Sequence, residues 1–251
     1  MLAKLLRSRR SSAVRPTIPD GQRVYAIGDV HGCLDELNRL LAMIDADDAE
    51  REPAVTSLIF LGDLVDRGPA SAQVVERVRL LTAKRPEVRC LLGNHEEVFL
   101  KAIDGDDRAL RLFCRVGGRE TVLSYGMDAL AYERADYAEL ADALTRLVPA
   151  SHRAFLAGLE DLIEIGGYAF VHAGVRPDCA FDEQRTADLR WIRDGFLDHD
   201  RPLARMVVHG HTISDGVERR PHRIGIDTGA YQTGRLTALG LERAAHWTLQ
   251  T

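Results

Sequence analysis

The chain has 251 residues, 45% hydrophobic and 28% charged, and a formal net charge of −5 from 33 basic and 38 acidic side chains. This is globular composition, long enough to bury a core without disulfides; it excludes a disordered chain and argues against a basic nucleic-acid coat. No stretch approaches the roughly 18 apolar residues of a membrane helix, so neither nucleic acid nor membrane insertion is expected.

Residues 1–22 read as a flexible basic tail with only a short apolar run, Leu5-Leu6, and no secretory core; Pro16, Pro19, Asp20 and Gly21 close it. A single domain over 23–251 is expected to follow. Residues 23–27 form a short β-rich run, read as a buried strand. Apolar spacing at Leu34, Leu37, Leu40, Leu41 and Ile44 predicts a helix over 34–45, then an acidic loop over 45–52. A strand over 57–61, a helix over 70–84 and a strand over 88–92 come next. Residues 96–160 read as a helical insert, broken at Gly117-Gly118 and Gly126. Strands resume at 168–171 and 206–208, with two or three more from Arg223 onward. Alternating strand and helix predicts an α/β fold. Cys33, Cys90, Cys114 and Cys179 form no CxxC pair, which argues against a zinc knuckle or a disulfide framework and fits a cytoplasmic protein.

Five of the apolar runs end in a small residue beside an oxygen or imidazole donor. They are Gly28-Asp29-Val30-His31-Gly32, Gly62-Asp63-Leu64-Val65-Asp66-Arg67-Gly68, Gly93-Asn94-His95-Glu96, His172-Ala173-Gly174 and Gly210-His211-Thr212. Ligand sites of α/β sheets lie on loops at strand carboxyl ends. Each segment alone is weak; five in order point to one shared site. Oxygen and imidazole donors without thiolate suit Mn²⁺, Fe, Co²⁺ or Zn²⁺.

The set resembles the metallophosphoesterase superfamily and, within it, the phosphoprotein phosphatase family, whose pattern is GDxHG, GDxVDRG, GNHE, an HAG-like His and a late His. Trp191-Ile192-Arg193, residues 207–212 (VVHGHT) and residues 226–230 (IDTGA) resemble bacterial members related to the bacteriophage lambda phosphatase. The resemblance covers about residues 23–243 and implies a four-layer sandwich: two mixed β-sheets flanked by helices, with the insert beside the cleft. It implies two divalent ions, Mn²⁺ first, with Fe, Zn²⁺, Co²⁺ or Ni²⁺ as the others. Asp29, His31 and Asp63 would hold one, and Asp63, Asn94, His172 and His211 the other. It further implies direct attack on phosphorus by a hydroxide shared between the ions. His95 would be the general acid, Asp66 its orienting carboxylate, and Arg67 and Arg193 the phosphate clamp.

The expected substrate is phosphoserine or phosphothreonine in a protein or peptide, with phosphotyrosine besides. The alternative is a dinucleoside tetraphosphate, the substrate of a sister branch with nearly the same ligands. That substrate calls for more aromatic contacts, and of 7 Phe, 6 Tyr and 2 Trp only Trp191 and Tyr231 stand near the motifs. A non-catalytic phosphate-binding module is disfavoured because every ligand and the acid are present. His209 competes with His211 as a ligand, and the GHT pattern favours His211. Ile213 stands where the wider superfamily has a further His. Cys33 reads as packing, Arg176 as a loop charge or a substrate contact, and Glu96 and Glu97 as helix start and contacts behind the metal ligands rather than ligands themselves. Asp227 and Tyr231 are candidates for supporting roles, and His152, His199, His222 and His246 read as packing or surface.

Overall fold

Strand β1 (Gln22–Ile27) sends alternate side chains to two different cores. Tyr25 and Ile27 join the helices on one side, and Val24 and Ala26 join a second sheet on the other. The computed structural model describes residues 16–251. After β1 come α1 (Leu34–Ala49), β2 (Val55–Phe60), α2 (Ser71–Lys84) and β3 (Val88–Cys90). The insert consists of α3 (Asn94–Ile103), α4 (Asp107–Arg115), α5 (Gly118–Ser124), α6 (Ala129–Arg134), α7 (Tyr137–Leu147) and α8 (Ala150–Ala157). Then follow β4 (Leu162–Ile165), β5 (Tyr168–Val171), α9 (Thr186–Trp191), β6 (Met206–His209), β7 (Glu218–Arg219), β8 (Arg223–Gly225), α10 (Ala230–Thr233), β9 (Thr237–Glu242) and β10 (Ala245–Gln250).

The first sheet has the order β10-β9-β1-β2-β3 and the second β4-β5-β6-β8-β7. Strands β1, β2 and β3 run parallel, as do β5, β6 and β8, while β9, β10, β4 and β7 pair antiparallel. The sheets meet through Ile59, Leu61, Phe170, Val208 and Ile226. The outer face of the first sheet packs on α1, α2 and the insert through Phe60, Leu37, Val74 and Phe99. The outer face of the second carries Val171, Val207, Leu189 and Phe196. This is the expected four-layer α/β sandwich of two mixed sheets. Parallel strands in both sheets place the ends of β1, β2, β3, β5 and β6 at one edge.

Local differences from the sequence reading have local causes. Residues 1–15 of the expected tail lie outside the described residues. Ile18 is buried, and its N–H donates to Arg243 O, so the chain is already docked before residue 22. Helix α1 continues to Ala49 through the stretch read as a loop, because its acids are engaged. Asp47 accepts from Tyr25 Oη (2.5 Å), Trp247 Nε1 (2.8 Å) and Arg51 Nε (2.8 Å). The predicted strand over 88–92 ends at Cys90, although Leu91 keeps a parallel bridge to Glu160. The short β4, β7 and α9 carry too few residues to show a period. Among the described residues, no helix is long and apolar enough to cross a membrane.

Arg23, buried in β1, ties three segments together. Its Nε donates to Glu242 Oε2 (2.9 Å), Nη1 to Asp48 Oδ1 (2.6 Å) and Nη2 to Glu52 O (2.6 Å). The two carboxylates are partly exposed, so water rescues them in part when the guanidinium is removed. Arg23→Ala is expected to cost about 2–4 kcal/mol, read as a lower urea midpoint at unchanged slope; an unshifted midpoint would refute the anchoring role.

Candidate active site

The five strand ends converge, and the sequence-predicted donors Asp29, His31, Asp63, Asn94, His95, His172 and His211 are all buried. Turning the chain this tightly strains it. Among the described residues, six non-glycine residues have positive φ, and five are His31 (44°), Asp63 (48°), Asp66 (71°), Arg67 (70°) and His211 (62°). Such backbone costs about 1–3 kcal/mol per residue and persists only where neighbours hold it. Here the holder is Glu96. Its fully buried carboxylate accepts the N–H groups of Asp63 (2.8 Å), Gly93 (2.9 Å), Leu64 (2.7 Å) and Val65 (3.1 Å). Burial and the nearby Asp63 charge push the Glu96 carboxyl up to about 7, against the pull of its N–H donors. A side chain at Gly93 would strike the Asp63 carboxylate, and one at Gly210 the Asp29 carboxylate.

Asp63 stands between two groups of potential ligands. Its Oδ2 lies 3.5 Å from His31 Nε2 and 3.9 Å from His95 Nε2, and its Oδ1 lies 3.4 Å from His172 Nε2. The atoms of His31, Asp63 and His95, and those of Asp63, His172 and His211, fall within 4.8 Å of one another. Burial works against the Asp63 charge, but the histidines around it hold its carboxyl below the usual range. His95 thus stands in the first group and Asp29 in neither. Asp29 turns Oδ2 to the N–H of His211 (2.9 Å), while its Oδ1 is buried without a partner. Burial, Asp227 and Asp63 push the Asp29 carboxyl up, which marks a carboxylate short of positive charge.

The donor set fits cations. His31 Nδ1 donates to Val65 O (2.7 Å) and His172 Nδ1 to Leu61 O (2.8 Å), so each neutral ring turns its Nε2 lone pair inward. Burial lowers both imidazoles, His31 to about 3, and His211 to about 2. The inward lone pair of His172 lies 2.9 Å from Asn94 Oδ1, itself an acceptor. Two acceptors face each other there, and His211 Nε2 is buried without a partner. A cation between these atoms satisfies all of them.

His95 is arranged differently. Its Nδ1 donates to Asp66 Oδ2 (2.6 Å), leaving Nε2 to face the cleft. Burial disfavours the imidazolium, yet the Asp63 charge and the Asp66 hydrogen bond raise the His95 pKa. Asp66 is fully buried; burial raises its carboxyl while His95 and Thr121 pull the other way. Thr121, on α5 of the insert, donates to Asp66 Oδ1 (2.7 Å) and accepts the Asp66 N–H (2.8 Å). Arg67 Nη1 and Nη2 lie 2.9 Å from His31 Nε2 and 3.0 Å from His95 Nε2. The exposed Arg193 donates from Nη2 to His211 O (3.3 Å) at the other end of the cleft.

Other candidates fall outside. His209 is spent on Gly210 O and Arg223, and Arg176 is paired with Asp178 on the surface. The Cys33 thiol is buried and pushed up to about 12, unsuited to a nucleophile. Two supports went unread in the sequence, Thr121 and Ser71, which accepts the Asp66 N–H (3.0 Å), while Glu96 takes the supporting place expected of it, with four N–H groups on its carboxylate. Asp227 buries its carboxylate beside Asp29, and burial raises it to about 6.

The sandwich and its two carboxylate–imidazole groups define a phosphoesterase, an enzyme whose family uses a pair of divalent metal ions. The sequence pattern of the calcineurin-like phosphoesterase family matches residues 22–218, and the chain belongs to that family. It is 38% identical over 154 residues to a symmetrical bis(5'-nucleosyl)-tetraphosphatase of Methylococcus capsulatus, covering 61% of this chain and 44% of that protein. The match therefore spans less than half the length of that relative. It is 28% identical over 233 residues to the asymmetrical bis(5'-nucleosyl)-tetraphosphatase PrpE of Anoxybacillus flavithermus, covering 85% of this chain and 88% of that one. A solved structure named as a suspected diadenosine tetraphosphatase shares the fold, with a TM-score of 0.63 at 23% identity over 94% of this chain and 96% of its own.

Glu96→Gln would point an amide N–H₂ at two backbone N–H groups. It is expected to lower stability by about 2–4 kcal/mol in urea unfolding, and faster amide exchange at residues 63–65 should accompany the loss. Wild-type stability in this variant would show that the carboxylate does not hold the turn.

Proposed function

We propose that the chain hydrolyses a dinucleoside tetraphosphate, cleaving one P–O–P linkage. The observation that carries the choice is the kinship, over 85% of this chain and 88% of the relative, with a protein named as a bis(5'-nucleosyl)-tetraphosphatase. The phosphoprotein reading of the motifs yields to it, because GDxHG, GDxVDRG and GNHE describe the cleft and not what lies beyond the phosphate.

Asp29, His31 and Asp63 would hold one divalent ion, and Asp63, Asn94, His172 and His211 the other. Such a pair supplies a nucleophile at neutral pH and charge to match the phosphoryl oxygens. The oxygen and nitrogen donors suit Mn²⁺, and equally Fe, Co²⁺, Zn²⁺ or Ni²⁺. Arg67 and Arg193, at opposite ends of the cleft, bind the non-bridging oxygens and hold the scissile phosphorus in line. As the P–O bond breaks, the imidazolium of His95 would donate a hydrogen bond from Nε2 to the departing phosphate oxygen, and would give up that proton outright only to an alkoxide; Asp66 keeps the imidazolium charge stabilised through Nδ1.

Leaving groups separate this reading from the phosphoprotein one. A threonine alkoxide needs the proton; a terminal phosphate, with a pKa of about 6, leaves largely without it. His95→Asn is expected to slow release from a phosphothreonine peptide by about 10²–10⁴-fold and diadenosine tetraphosphate hydrolysis by clearly less. Equal losses on both substrates would remove His95 from the proton-donor role. For the wild-type protein with Mn²⁺ and equal substrate concentrations, tetraphosphate turnover should exceed peptide turnover by about tenfold or more. Two ADP, or ATP plus AMP, would then distinguish symmetrical from asymmetrical cleavage. Faster peptide turnover would return the chain to the phosphoprotein phosphatases.

A further inference from the structure

A cavity of about 340 Å³ adjoins the cleft, walled by Arg67 of the second motif, Ala70 just beyond it, Glu36 at the start of α1, and Tyr231 of α10. Arg67 connects the two spaces. Its guanidinium nitrogens touch His31 and His95, and its carbon lies 4.8 Å from the centre of the Tyr231 ring. The same ring meets His31 edge to face, with centroids 5.4 Å apart at 79°. Gln232 Nε2 donates to the Tyr231 hydroxyl (2.7 Å), which fixes the ring further. Tyr231 is half-buried, so a held aromatic surface stands one guanidinium away from the site of phosphate cleavage.

We infer that this cavity is a nucleoside subsite: a nucleobase stacks on Tyr231 while its phosphate chain crosses Arg67 into the cleft. The substrate class rests on the tetraphosphate reading above; the subsite rests on the cavity itself. Its volume suits a nucleoside, since small-molecule pockets begin near about 300 Å³. Its chemistry narrows the occupant. Beyond Arg67 the wall carries the carboxylate of Asp35 and that of Glu36, whose Oε1 accepts from Arg39 (2.9 Å); their remaining acceptor positions suit ribose hydroxyls or an exocyclic amine better than further phosphate. An arginine, then an aromatic ring, then carboxylate acceptors match an anion joined to a flat, neutral, donor-bearing group. Stacking on one aromatic ring strengthens binding by about tenfold to a hundredfold and tolerates any base.

The test compares two non-hydrolysable probes that differ only by the nucleoside: α,β-methylene-ADP and methylene diphosphonate, titrated calorimetrically into the Mn²⁺-loaded protein. The wild-type protein should bind the nucleotide about tenfold or more tighter. Tyr231→Leu should erase most of that difference while the diphosphonate constant stays put, and Tyr231→Phe should keep it. Ala70→Leu, which enlarges another side chain lining the cavity, should weaken the nucleotide alone and serves as a second variant should Tyr231→Leu fold poorly. No wild-type preference for the nucleotide, or equal weakening of both probes by Tyr231→Leu, would overturn the subsite. Nucleotide preference lost in Tyr231→Leu, without turnover of diadenosine tetraphosphate, would keep the subsite and remove the tetraphosphate reading. Turnover without nucleotide preference would do the reverse.

Discussion

Glu96 occupies the point where two loops must meet. The second motif reverses direction through Asp63 and again through Asp66 and Arg67, all at positive φ. Left alone, such a turn would relax into ordinary backbone and carry Asp63 away from the histidines. Four N–H groups converge on the Glu96 carboxylate, three from this turn and one from Gly93. A charged acceptor shared by several buried donors is among the stronger hydrogen-bond arrangements a protein can build. One residue at the first turn of α3 therefore offsets the strain of the neighbouring loop and sets the spacing of Asp63, Asn94 and His95.

The same economy governs the imidazoles. Backbone carbonyls of Val65 and Leu61 fix His31 and His172 with their lone pairs inward, and burial keeps both rings neutral. A carboxylate, Asp66, does the opposite for His95 and favours its protonated form. Carbonyl-backed rings suit cation ligands, and the carboxylate-backed ring suits a proton donor. The distinction lies in one hydrogen-bond partner per ring. The helical insert takes part through Thr121, which clamps Asp66 from α5. The insert therefore steadies the Asp66–His95 pair.

How much of this the sequence carried depends on the length scale of each feature. The parallel strands with helical crossovers were legible because the strands are short apolar runs, such as residues 23–27 and 57–61, and the intervening helix repeats Leu37, Leu40, Leu41 and Ile44 with a helical period. The donors were legible because each follows a strand end next to a glycine. Thr121 belongs to a contact made between distant parts of the chain, and nothing adjacent to it signals that it meets Asp66, 55 positions away. The loop expected at residues 45–52 followed from acidic composition. Its acids instead extend α1, because Arg23, Tyr25, Arg51 and Trp247 neutralise or bond them from other elements. That His95, and not Asp29, groups with His31 around Asp63 is likewise tertiary.

The substrate lay furthest from the sequence, for a physical reason. Cleaving a P–O bond needs a fixed arrangement of donors, charges and one acid within a few ångströms, and such an arrangement leaves compact motifs. Recognising what hangs from the phosphate needs shape and stacking at a greater distance, supplied by single residues with no required spacing. Trp191, tied through Nε1 to Glu97 Oε2 (3.0 Å), positions the segment that carries Arg193. Tyr231 sits on the opposite side of the reaction's chemistry, against Arg67 and His31. Both lie outside the motifs in sequence, so the motifs carry no record of them. Reading substrate from motif therefore identifies the bond broken, and the identity of the leaving group has to be read from the walls around it.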